Sequence, residues 1–140
     1  MFYRGHLGVG LALCGLIRSR SARVLSWLLV WSFVPDLDSH TDFVPHRGPT
    51  HTFSFSIIAA CVSYPFGKQY AYASWIGVIG HLMADVLNPM GVNFFGRNVS
   101  LNVCKASFQP ANDGLLWVGI TLIVSKLFNQ NSEKDLLLNT

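Results

Sequence analysis

The sequence predicts an all-α fold, an integral membrane bundle of about five short helices with its polar motif residues gathered at one end. Charged residues make up 12% of the 140, about half of the roughly 25% usual in soluble domains, while hydrophobic residues reach 51% and mean hydropathy is +0.38. Several apolar runs separated by Pro, Gly or polar residues are apolar all round rather than along one stripe, the pattern of helices whose whole surface avoids water. The histidines and most aspartates fall where these runs begin and end.

The first helix is predicted over Phe2 to Ile17, carrying Gly5, Gly8, Gly10 and Gly15. Glycines lower helix propensity but let helices approach closely inside a bilayer. Arg18, Arg20 and Arg23 mark a turn, and Val24 to Val34 makes helix two, stopped at Pro35-Asp36-Leu37-Asp38. His46-Arg47-Gly48-Pro49-Thr50-His51-Thr52 opens helix three, which runs from Phe53 to Phe66. Pro49 suits a first turn, and Thr50 or its predecessors supply the cap. After Pro65-Phe66-Gly67-Lys68, helix four spans Tyr70 to Leu87 and ends at Asn88-Pro89. Met90 to Ala111 reads as irregular, Gly114 to Phe128 as helix five, and Asn129 to Thr140 as a short tail, so residues 1–128 form the one domain. Several of these runs are short against the roughly 20 residues a span needs, so tilted, partly embedded or re-entrant helices are expected as readily as clean spans.

Composition also excludes function classes. The net charge of +3 comes from scattered basic residues with no basic stripe, so no nucleic-acid docking is expected. Cys14, Cys61 and Cys104 are far apart and odd in number, which signals neither a disulfide framework nor a zinc ribbon. The start of the chain makes a poor signal peptide, since Arg4 and His6 precede a glycine-broken apolar stretch.

His81 and Asp85 lie four residues apart, one helical turn, so both side chains face one way and can share a metal ion or a proton. If five helices alternate in direction, one end of the bundle collects His6, Asp36, Asp38, Asp42, His46, His51, His81, Asp85 and Asp113. The other end receives Arg18, Arg20, Arg23, Lys68, Lys126 and Lys134. Taken singly, each residue reads as a solvated loop carboxylate or an interfacial histidine; it is their clustering that points to a site. Imidazole and carboxylate suit zinc or another borderline first-row ion, with manganese the second choice. Such an ion activates water for attack on an ester. Arg47 fits either a phosphate clamp or an interfacial anchor.

In order, Gly5-His6, Pro35-Asp36-Leu37-Asp38, His46 through Thr52, and Gly80-His81 through Asp85 with Asn88-Pro89-Met90-Gly91-Val92 resemble the YdjM-type family of membrane-bound metal-dependent hydrolases. The resemblance covers roughly Gly5 to Phe95. The family is in turn similar, in its histidine and aspartate pattern, to zinc-dependent phospholipase C and P1-type nucleases, which implies a phosphoester-directed hydrolase. Two departures stand out: Asn93-Phe94-Phe95-Gly96-Arg97 replaces the family's aromatic and proline continuation, and Asp113 stands where a glutamate is usual.

The leading reading is therefore a multi-pass membrane metallohydrolase. His6, Asp36, Asp38, His46, His51, His81 and Asp85 are the candidate metal ligands, with Asp36 or Asp38 as general base and Arg47 as phosphate holder. Its substrate is a phosphoester of a lipid or of an envelope precursor, because the residues gather at a membrane surface. Six Lys and Arg on the motif-poor side against four on the motif side place the site outside the cytoplasm. The rivals are a membrane protein that binds or transports a divalent metal, and a soluble helical metal-binding domain.

Overall fold

The computed structural model describes residues 3–17, 19, 21–40, 48–87, 89, 91–94, 97–101 and 109–138. Five α-helices account for most of them: α1 (Tyr3–Leu16), α2 (Ala22–Phe33), α3 (Phe53–Ser63), α4 (Lys68–Val86) and α5 (Gln109–Leu138). The expected all-α class holds, with one addition. Inside the stretch expected to be irregular, β1 (Val92–Phe94) and β2 (Arg97–Val99) pair antiparallel in a two-stranded hairpin, Val92 opposite Val99. Gly91 precedes it with φ of +63°, a left-handed conformation that glycine adopts at no steric cost. The Leu101 amide donates to the Val86 carbonyl at 2.8 Å, which fastens the hairpin to the end of α4.

Proline acts at the end of α2 as expected, but the chain does not simply stop there. The α-helix gives way at Val34 to a 3₁₀ turn, Val34–His40, which carries Asp36 and Asp38 onward. A second 3₁₀ turn, Pro49–His51, precedes α3. The α3 cap is Thr52 rather than Thr50: its Oγ1 accepts from the Phe55 amide at 3.3 Å.

α5 departs furthest from expectation. It starts five residues before Gly114 and continues through the presumed tail to Leu138. Asn112-Asp113-Gly114 reads locally as a turn, but here Asn112 is buried and Arg4 donates to Asp113 at 3.1 Å, so tertiary contacts hold the segment in the helix. Beyond Phe128 the residues are polar as far as Asp135 and then leucine, and contain neither Gly nor Pro, so nothing in them breaks a helix already under way.

The helices alternate in direction. On α1 and α5, Arg4 meets Asp113, Gly15 lies against Leu122, and Lys126 reaches the carbonyls of Cys14 and Ile17, so these two run parallel. Their backbones touch: a Cβ at Gly8 would land on the Leu115 carbonyl, and one at Gly119 on the Gly8 oxygen. α4 is the hub for α2 and α3. Trp27 Nε1 of α2 donates to Ser63 of α3 at 3.2 Å and to Ser74 of α4 at 3.0 Å. A Cβ at Gly77 would sit 2.6 Å from the Leu28 carbonyl oxygen, so α2 and α4 also pack backbone to backbone. One core cluster joins Ala59, Val78, Leu82, Val86 and Val92, and a second joins Cys14, Val24, Leu28 and Ala73. This alternation places the start of α1, the 3₁₀ turns after α2 and before α3, and the end of α4 together.

Candidate metal centre

Four elements each bring one or two polar residues to that end of the bundle. α1 supplies His6; the turn after α2 supplies Asp36 and Asp38; the turn before α3 supplies His51; α4 supplies His81 and Asp85. His6, His51, His81 and Asp85 are each 1% exposed, Asp38 is 5% exposed, and the Asp36 side chain is 13% exposed. Burial of so many ionisable groups is costly unless they are paired or hold a cation.

The hydrogen bonds fix two of the imidazoles. His81 Nδ1 lies 2.8 Å from the Ser32 carbonyl oxygen, an acceptor only, so Nδ1 carries the proton and Nε2 presents its lone pair. His51 Nδ1 lies 3.2 Å from Asp38 Oδ2, which assigns its proton to Nδ1 in the same way. Thr50 Oγ1 donates to that same Asp38 oxygen at 2.6 Å. The two Nε2 atoms then face each other 3.2 Å apart. At that distance the two lone pairs repel unless a proton or a metal cation lies between them.

Two carboxylates complete the arrangement. Asp36 Oδ1 lies 3.5 Å from both Nε2 atoms, and Asp85 Oδ2 lies 3.5 Å from both as well. A tetrahedron of N and O ligands around zinc, with bonds of about 2.0–2.2 Å, has edges of about 3.3–3.6 Å. The separations among His51 Nε2, His81 Nε2 and Asp85 Oδ2 match one face of that tetrahedron, the pair of imidazoles being only slightly closer. His51, His81 and Asp85 thus form a buried group that could hold a metal ion, as do His6, Asp36 and His81. Carboxylate-to-imidazole and carbonyl-to-imidazole hydrogen bonds behind the ligands are what orient metal-binding histidines.

His6 differs from the other two. Among the described residues neither of its ring nitrogens has a hydrogen-bond partner. Its ring stacks on that of His81, centroids 4.0 Å apart and planes 12° from parallel. Its Nε2 lies 3.5 Å from Asp85 Oδ1 and 3.7 Å from Asp36 Oδ2.

At Asp36, burial pushes the carboxyl up, but contact with His51 and the nearby His81 and His6 rings more than reverses this. The group lies below its ordinary value and is a carboxylate at neutral pH.

Of the residues expected to make the site, the structure brings His6, Asp36, Asp38, His51, His81 and Asp85 together. Asp38 sits behind His51, on the Nδ1 side of its ring. His46 and Arg47 lie outside the described residues. Asp113 pairs with Arg4 at 3.1 Å, both substantially exposed. The Ser32 carbonyl and Thr50 were not anticipated. A backbone acceptor on another helix leaves no mark in the sequence, whereas Thr50, which adjoins His51, reads there as a helix cap.

The model of the family described as YdjM inner membrane protein matches residues 1–139. The chain belongs to that family. Neither the curated proteins nor the solved structures contain a match. For this member of the YdjM family the geometry therefore comes from its own fold: a buried His/Asp cluster, able to hold a metal ion, assembled from four separate elements.

Proposed function

We propose that this chain is a multi-pass membrane protein that hydrolyses a phosphoester of a lipid or envelope precursor with a divalent metal, zinc in the first instance. The observation that carries the reading is the buried group of His51 Nε2, His81 Nε2 and Asp85 Oδ2, 3.2–3.5 Å apart, which matches one face of a zinc tetrahedron, with Asp36 Oδ1 3.5 Å from both imidazoles. The donor set is imidazole and carboxylate with no thiolate, a mixture that suits zinc first and manganese second.

A bound zinc ion supplies Lewis-acid polarisation of the phosphoryl oxygen and a lowered pKa for water at neutral pH. The chain's own residues do the rest. Asp38 and the Ser32 carbonyl hold His51 and His81 with their Nε2 atoms directed inward. Asp85 closes the buried side, and the partly exposed Asp36 marks the face by which water and substrate enter. In hydrolysis the water oxygen bonds to phosphorus, the bond to the ester oxygen breaks, and the departing alkoxide takes up the proton that the water loses.

Membrane residence is supported by the family's description and by the surface of the bundle. Among the described residues, one helix is long and apolar enough to cross a membrane, Gln109–Gln130, and Phe53–Phe66 is a shorter apolar helix. Val30, Ile57, Ile58, Val62, Tyr72, Trp117, Val118 and Phe128 all project outward from α2 to α5, a surface suited to lipid. α4, at 19 residues or about 28 Å, nearly matches the hydrocarbon core. A lipid substrate is favoured by a groove of about 370 Å³ between α1 and α4, lined by Val9, Leu13, Ile76, Met83 and Leu87. It runs along the helix that carries His81 and Asp85 and is apolar enough for an acyl chain. The site end faces the extracytoplasmic side in this reading, consistent with Lys126 at the opposite end.

The test is hydrolysis of bis(p-nitrophenyl) phosphate and of phospholipid by detergent-purified, zinc-loaded protein, beside His51→Ala and His81→Ala. The expected result is zinc-dependent turnover that falls at least about a hundredfold in either variant. Zinc-loaded protein that cleaves neither phosphoester but carries zinc into proteoliposomes would replace hydrolysis with transport.

A further inference from the structure

A trough of about 430 Å³ lies between α3 and α4 at the end of the bundle away from the His/Asp cluster. Lys68 at its mouth opens α4, about 20 Å along that helix from His81. The floor is Ala60 of α3 and Ala71 of α4, and the walls are Tyr64, in the 3₁₀ turn Tyr64–Phe66 after α3, with Tyr72 and Trp75 of α4. Sequence spacing makes this shape. Lys68, Ala71, Tyr72 and Trp75 recur at three and four residues and so share one face of α4, while Ala60 lies one turn before Tyr64. Two methyl side chains among three exposed aromatics leave a slot that descends about 10 Å from Lys68 to Trp75.

We propose that this trough binds an anionic phospholipid of the leaflet opposite the His/Asp cluster, its phosphate on the Lys68 ammonium and one acyl chain laid between α3 and α4. It rests on the membrane residence proposed above and is independent of hydrolysis.

Charge complementarity selects the headgroup. Lys68 is exposed, is the charged residue of the lining, and has no carboxylate partner among the described residues. Arg23, in the first turn of α2, lies at the same end, whereas Asp36, Asp38, Asp85 and Asp113 all lie at the other. A zwitterionic lipid carries its own cation, which competes with Lys68 for the phosphate; an anionic one does not. A second copy of this chain would need a carboxylate to meet Lys68, and outside α5 the described residues at this end offer none. Depth selects the rest of the ligand. Tyrosine and tryptophan favour the level where headgroups meet hydrocarbon, with lysine reaching toward the headgroups. Below Lys68 the slot is walled by aromatic rings and methyl groups, and its volume falls within the range of about 300–1,000 Å³ of small-ligand sites.

The experiment is native mass spectrometry of the full chain purified in detergent, with dioleoyl phosphatidylglycerol and dioleoyl phosphatidylcholine as probes, for wild type, Lys68→Gln and Ala60→Leu, each confirmed as helical by circular dichroism. Wild type is expected to retain one phosphatidylglycerol per chain, about fivefold more tightly than phosphatidylcholine, the worth of one lysine at an anionic surface. Lys68→Gln is expected to bind both lipids at the phosphatidylcholine level, and Ala60→Leu, which fills the slot, to lose the retained lipid. Equal retention of the two lipids by wild type, a preference that survives in Lys68→Gln, or undiminished phosphatidylglycerol on folded Ala60→Leu would each overturn the proposal. A dimer that Ala60→Leu dissolves would give the trough to a second copy and overturn it as well. Protein that stays dispersed without detergent would instead overturn the membrane residence itself.

Discussion

Asp38→Ala separates a ligand from a group that positions one. Asp38 Oδ2 accepts from Thr50 Oγ1 at 2.6 Å and lies 3.2 Å from His51 Nδ1, and thereby favours the proton on that nitrogen and leaves Nε2 bare. Loss of such a partner behind a ligating histidine typically weakens metal binding 10- to 100-fold, about 1.4–2.7 kcal/mol. Asp38→Asn keeps an oxygen able to accept from Thr50 and to face His51 Nδ1 and loses only the charge, so it belongs near the tenfold end. Asp38→Ala loses both the charge and the acceptor. Part of the effect is recovered because Thr50 Oγ1 lies 3.2 Å from His51 Nδ1 and can accept in its place, so the alanine variant belongs inside the range rather than beyond it. The assay is zinc competition against a chromophoric chelator in detergent, with circular dichroism to confirm the helical fold. Unchanged zinc affinity in Asp38→Ala would refute the positioning role. Complete loss of zinc, equal to that in His81→Ala, would make Asp38 a ligand and refute it from the other side.

Gly77 lies one turn before His81 and packs on α2 close to Ser32, whose carbonyl orients that ring. Gly77→Ala is expected to push α2 away from α4, to cost about 1–3 kcal/mol by overpacking, and to weaken zinc binding without touching a ligand; thermal melts and the same competition assay check it. Gly114→Ala has open space around the new methyl and is expected to stabilise α5 by about 0.5–1 kcal/mol with zinc affinity unchanged. Lys126 Nζ donates to the Cys14 and Ile17 carbonyls at 2.7 Å each, capping the C-terminal end of α1 far from His6. Lys126→Met is expected to lower the melting temperature by the equivalent of about 1–2 kcal/mol while metal content stays the same. Stripping the metal with a chelator is expected to destabilise the fold, and free zinc at a hundred times its Kd to restore about 2.7 kcal/mol, read from paired melting curves.

Much of this site is legible in the sequence because its spacing rules are local. His81 and Asp85 lie one turn apart on a helix, and that alone puts them on one face. Counting helix reversals then places His6, Asp36 and His51 at the same end, an inference that needs only the number of helices and not their angles. Side-chain roles within the cluster are not legible in this way. Asp36 and Asp38 are both carboxylates in one short motif, yet the 3₁₀ turn directs one toward the imidazole pair and the other behind His51. A 3₁₀ turn rotates successive residues by about 120° rather than 100°, and no residue pattern announces that the turn will be 3₁₀. The start of α5 was hidden for a related reason. Asn112-Asp113-Gly114 has turn chemistry, and tertiary contacts, the burial of Asn112 and the pairing of Asp113 with Arg4 109 positions away, override it. Composition points to a membrane, as does the family's description as an inner membrane protein, whereas the length of α5 is not legible in the sequence, because polar residues end an apolar run without ending a helix.

The central claim is that the His/Asp cluster holds a metal, and elemental analysis of detergent-purified protein tests it most directly, wild type beside a His81→Ala/Asp85→Ala double variant, each confirmed as folded. The account predicts zinc or manganese at one or more per chain in wild type and its loss in the variant. Folded wild type that retains no metal after zinc loading, or a double variant that retains as much as wild type, would contradict it.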